Sequence, residues 1–102
     1  MRPNFKTRLS HEECKSLVLV LLRFDTRLIQ DARTREMVIL IMVKLINKIL
    51  KMSLQQGVEY HKLTAKRGEA AALMMTLSMF ESAGYEGLVH DRMMYELNRY
   101  FA

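Results

Sequence analysis

Apolar residues recur every three or four positions along most of this chain, the rhythm of helices buried on one side. The pattern is densest over Met37–Met52, MVILIMVKLINKILKM. Val38, Met42, Leu45, Ile49 and Met52 step by four and three and form a seam suited to packing against other helices. Lys44, Asn47, Lys48 and Lys51 form a polar stripe beside it. Extended one turn towards the N-terminus, that stripe meets Leu40 and Met37, so the segment Met37–Val43 is apolar at every position. A helix apolar around its circumference is buried all round, and a domain of 102 residues offers little interior to surround it. Met37 and Leu40 therefore need a cover, either the last helix of the chain or another molecule.

Upstream, Ser10-His11-Glu12-Glu13 has the form of a capping box and predicts a helix start. Cys14, Leu17, Leu21, Phe24 and Leu28 line one face of a first helix running to about Gln30. Val20 falls among the polar positions of that helix and adds apolar surface without an evident cover. Thr34, with Asp31 closing the turn before it, predicts a break near residues 31–34. The alternative is one fused helix of about 45 residues, far above the usual length, which would place Asp31 and Arg35 on the seam. Helix two spans about 35–56 and stops at Gly57. Val58–Leu63 reads as a connection, and Thr64 as a cap for a third helix over about 65–83. Gly84 then supplies a left-handed ending with Tyr85 against Phe80, and a fourth helix covers about 88–100. No internal repeat is visible. The expectation is an all-α, single-domain four-helix bundle over residues 10–102 with helix two central, preceded by a basic arm at residues 1–9.

Charge changes this picture in one respect. Residues 1–51 hold 11 Lys/Arg against 5 Asp/Glu, whereas residues 52–102 hold 5 against 6, so an anionic partner would meet the N-terminal half. Arg33, Arg35, Lys44, Lys48, Lys51, Lys62, Lys66 and Arg67 are the candidate phosphate contacts. The helix Gly68–Phe80, GEAAALMMTLSMF, carries almost nothing able to hydrogen-bond base edges, so that helix does not read a major groove.

Candidate chemistry is thin. His11 and Cys14 lie three apart on a helix, but no second pair of metal ligands accompanies them, so neither metal nor cofactor is expected. The acidic residues form no recognisable acid–base set, and the chain reads as non-enzymatic. The single Cys14 suits a reduced, cytoplasmic setting, and no apolar run is long enough to span a membrane. Eight methionines besides the first serve irregular cores or adaptable binding surfaces. Together these features predict a protein-binding helical protein (an adaptor, chaperone or regulatory antagonist) that pairs as a homodimer through Val20, Met37, Leu40 and Ile41. Nucleic-acid binding by the basic N-terminal half is the alternative.

Overall fold

The segment read as a basic arm is a strand. A computed structural model of the protein describes residues 3–55, 57–79 and 84–102. Asn4–Ser10 forms β1, which pairs antiparallel with β2, Tyr60–Lys66. The all-α bundle is thereby corrected to four helices and a two-stranded antiparallel sheet. The physical reason is a period of two rather than 3.6. Phe5, Thr7 and Leu9 point inward, as do His61, Leu63 and Ala65, while Lys6, Arg8, Lys62 and Lys66 point out.

Each strand runs straight into a helix. Helix α1, His11–Leu22, starts with the predicted capping box: Ser10 Oγ accepts from Glu13 N at 3.1 Å and Glu13 reaches back to Ser10 N at 2.8 Å. Helix α3, Arg67–Ser78, starts at Lys66 rather than Thr64, and Glu69 accepts from Lys66 N at 2.9 Å. Thr64 instead lies within β2.

The long fused helix does not form, and the break lies upstream of residues 31–34. Helix α1 ends at Leu22, and Asp25 accepts from Arg27 N to cap a short 3-10 turn, Thr26–Leu28. Asp31 then caps helix α2, Ala32–Leu54, by accepting from Thr34 N at 2.9 Å. Aspartates that bond nearby amides stop helices and start them, and two in seven residues divide this one. Arg35 leaves the seam and donates to Ile29 O from Nε and Nη2 at 3.0 and 2.8 Å. Beyond α2, Gly57 takes a left-handed φ of 78°, which favours glycine. Helix α4 spans Gly84–Phe101. The proposed contact of Tyr85 with Phe80 lies outside the described residues.

The chain is a strand–helix–helix unit used twice. A shift of 56 positions carries Asn4–Ser10 onto Tyr60–Lys66 and His11–Leu22 onto Arg67–Ser78. The strand pairing obeys the same relation: Asn4 faces Lys66 as Ser10 faces Tyr60, and the equivalent residues Thr7 and Leu63 face each other at the centre. An approximate two-fold axis therefore passes through the ribbon. The buried sets agree, with Cys14, Leu17, Val20 and Leu21 in α1 matching Ala70, Leu73, Thr76 and Leu77 in α3. Helices α1 and α3 both pack against α2 and α4.

The core lies between the inner face of the ribbon and these four helices. It contains Phe5, Leu9, Leu17, Leu45, Ile49, Leu63, Leu73, Leu77, Met93 and Leu97, all at or near full burial. Each such side chain contributes about 1.5–3 kcal/mol relative to exposure. Tyr100 closes one end, its ring edge-on to Phe5 at 5.7 Å. The predicted seam of α2 faces this core: Val38, Met42, Leu45 and Ile49 are buried and Met52 partly so. Two strands alone are marginal in water, and this ribbon gains its stability by packing on α1 and α3.

Candidate nucleic-acid interface

The outer face of the ribbon presents Asn4, Lys6, Arg8 and Ser10 from β1 and Tyr60, Lys62, Thr64 and Lys66 from β2. Four of these eight are cations and none is a carboxylate. The register puts Lys6 opposite Thr64 and Arg8 opposite Lys62, so positive charge runs along both strands. Like charges directly opposite each other destabilise a strand pair. Arg8 beside Lys62 is therefore a pairing the fold tolerates rather than gains from.

A two-stranded ribbon has two free edges, and a basic side chain from a second helix sits on each. Arg92 of α4 donates from Nη2 to Arg8 O at 2.9 Å, and Lys48 of α2 donates to Thr64 O. Arg8 and Thr64 are equivalent under the 56-residue shift, so the two contacts are counterparts across the approximate axis. Arg92 also pairs with Glu13 through Nε at 2.9 Å and approaches Glu96 at 3.4 Å. Thr7, which faces inward, donates to the same Glu96 carboxylate. Helix α4 is thus fastened to β1 by a charged network, whereas the α2 side is held by one lysine.

Beside β2 the α2 lysines form the wall of an open groove of about 890 Å³. Lys44, Asn47, Lys48, Lys51 and Gln55 line the α2 side and Tyr60, Lys62 and Lys66 the β2 side. Glu69 is the one carboxylate on the rim, and it already accepts from Lys66 N. His61 is buried beneath the groove, with its ring 5.9 Å from that of His11 and no hydrogen-bond partner at Nε2. The groove is therefore strongly electropositive, which raises the local concentration of anions.

Of the eight candidate phosphate contacts, the fold gathers five at this groove: Lys44, Lys48, Lys51, Lys62 and Lys66. Arg33 is exposed in the first turn of α2, and Arg35 is committed to Ile29 O, so neither joins the groove. Arg67 lies over the rings of Tyr100 and Phe101 at 5.8 and 5.0 Å, away from it. Lys6 and Arg8, in the segment expected to be an arm, also belong to the basic surface, and their alternation with Phe5, Thr7 and Leu9 is the sequence signal for it.

The residues expected to pair two copies do not form one patch. Val20, expected to lack a cover, is fully buried by its own chain, which corrects its assignment to an interface. Ile41 is partly buried in the core. Met37 and Leu40 are 63% and 70% exposed. Val43 and Leu54 of α2 are exposed as well. Among the other described methionines, Met79 is exposed, while Met42 and Met93 are buried and Met52, Met74, Met75 and Met94 pack partly on the core.

Among the described residues no three His, Cys, Asp or Glu side chains gather as a metal site, and no helix is long and apolar enough to cross a membrane. Burial, with the charge of Glu13 adding to it, pushes the Cys14 thiol up to about 11, so it is a poor nucleophile at neutral pH. Comparison of the chain with protein-family models, curated proteins and solved structures finds no match.

Proposed function

We propose that this protein is a non-enzymatic, double-stranded-DNA-binding protein that lays the outer face of its β-ribbon into the major groove. The observation that carries this reading is the ribbon itself: eight outward positions, four cations, no carboxylate, on an element with a helical layer behind it. The major groove of B-form DNA is about 12 Å wide and admits a two-stranded ribbon. Strands lie about 4.8 Å apart and rise about 3.4 Å per residue, so the seven residue pairs make a rod about 20 Å long and narrow enough to enter that slot. Other proteins read DNA with strands in this manner. Lys6, Arg8, Lys62 and Thr64, at the middle of the ribbon, face the base edges. Lys44, Lys51 and Lys66 on the flanking groove meet phosphates, which fixes position and supplies most of the affinity.

Duplex DNA fits better than RNA. The major groove of A-form RNA is too narrow for side chains to read. Single-strand binding needs several aromatic platforms, and Tyr60 is the one aromatic residue on the outer face. The lone thiol Cys14 accords with a reducing, cytoplasmic location. The test is fluorescence anisotropy with a labelled duplex at 50 and 200 mM salt. The wild-type chain binds with strong salt dependence, and the Lys6→Ala/Lys62→Ala variant, which alters exposed side chains alone, binds weakly. Equal binding by the two proteins would overturn the reading.

A second reading, association with a protein or a second copy through α2, draws on the exposure of Leu40 and Leu54, at 70% and 77%. Apolar side chains at these positions suit helix-in-groove packing. Sedimentation velocity of the wild type against Leu40→Glu separates a self-associating chain from a monomer.

A further inference from the structure

We infer that one chain reads an inverted repeat whose two halves differ, with the difference set by Arg8 and Thr64. The inference rests on the DNA-binding reading above and goes beyond it in naming the kind of site. Paired binding elements related by a two-fold axis recognise sites with matching two-fold symmetry. Here both elements lie in one chain. The approximate axis through the Thr7–Leu63 pair exchanges β1 with β2, so a single molecule presents the ribbon to both halves of a site.

The exchange is unequal in a specific way. Lys6 and Lys62 are equivalent and identical. Arg8 and Thr64 are equivalent and different. Both lie on the outer face, and each has its backbone carbonyl held by a basic residue of a second helix, Arg92 for Arg8 and Lys48 for Thr64. An arginine donates two hydrogen bonds to O6 and N7 of guanine; a threonine offers one hydroxyl and a methyl group that packs on the thymine methyl. The half-site under β1 therefore demands guanine at the position Arg8 reaches, and the mirror position under β2 does not. A bidentate contact of this kind discriminates against a wrong base by about 5- to 150-fold. The ribbon ends differ as well, Asn4 against Tyr60 and Ser10 against Lys66, and extend the inequality outward.

The experiment is selection from a randomised duplex library with the whole chain, its Thr64→Arg variant and its Arg8→Thr variant, each checked for fold by circular dichroism. The wild type should select an imperfect inverted repeat with a guanine preference on one side, at one chain per site. Thr64→Arg should extend the guanine preference to both sides and make the site symmetric; Arg8→Thr should remove it. If Thr64→Arg fails to fold, the loss in Arg8→Thr still decides. A symmetric wild-type site, two chains per repeat, or an unchanged preference in Arg8→Thr would overturn the inference. Duplex binding with no sequence preference would overturn it while leaving DNA binding intact, and no duplex binding at 50 mM salt would overturn both.

Discussion

Replacing Lys44 and Lys51 by glutamine tests the proposed phosphate contacts of the groove. Both residues line the α2 wall and are exposed, so their removal leaves the core untouched. Lys48 is left in place because it secures Thr64 O. Each lysine that neutralises a phosphate of duplex DNA contributes about 0.9 to the slope of log K against log salt. Two such contacts lower the slope by about 1.8. At about 0.15 M salt the same relation gives about a fivefold loss per contact, hence about 30-fold for the pair, shrinking towards nothing near 1 M. Fluorescence anisotropy at four salt concentrations reads both quantities, and thermal melting confirms the fold. A slope equal to that of the wild type would show that the α2 lysines face solvent in the complex and that the groove is not a phosphate track.

Four further outcomes follow from the fold. Leu17 and Leu73 are equivalent and fully buried, so Leu17→Ala and Leu73→Ala each lower stability by about 2–5 kcal/mol in urea titrations; a loss under about 1 kcal/mol at either site would refute the matched packing. Ser10→Ala removes the acceptor for Glu13 N and costs about 1 kcal/mol, seen as a fall in Tm of about 4–8 °C. The Cys14 thiol is pushed up to about 11 by burial and by Glu13, against about 8.5 in an unfolded chain. A raised folded value means that its stabilising contribution is complete below about pH 8.5 and is lost as pH rises towards 11, so the urea midpoint should fall between pH 8 and 10.5 in the wild type and less in Cys14→Ala. Asp31 is held below the usual carboxylate range by Thr34, so its cap persists above about pH 4 and is lost as pH falls further; helicity of Asp31→Asn should change less with acid than that of the wild type.

The helices were legible because their signals are local. The capping box at Ser10–Glu13 involves four consecutive residues, and the seam Val38–Met42–Leu45–Ile49 needs no partner to be recognised. The ribbon was not legible in the same way. Residues Asn4–Ser10 do alternate, but Thr7 occupies an inward position where its hydroxyl is met by Glu96 and Arg92, far away in the chain. In β2 the inward residues include His61 and Ala65, which weaken the alternation further. The duplication was hidden for a related reason. Across the paired strand–helix segments the identical residues are Lys6/Lys62, Glu13/Glu69, Leu17/Leu73 and Leu21/Leu77. Those are one outward cation, one capping carboxylate and two core leucines, enough to set the geometry and too few to register as a repeat. The lysines of α2 and β2 were identifiable as cations, but their convergence on one groove depends on how α2 lies along β2. Val20 shows the opposite error: it stands among polar neighbours in the helical pattern, yet the fold buries it completely.

The most direct test of ribbon-mediated binding is an amide chemical-shift map of the labelled chain titrated with duplex DNA. The largest shifts should fall in Asn4–Ser10 and Tyr60–Lys66, with smaller ones at Lys44–Lys51. Shifts confined to the exposed face of α2 around Leu40 and Leu54, with the two strands unmoved, would contradict it.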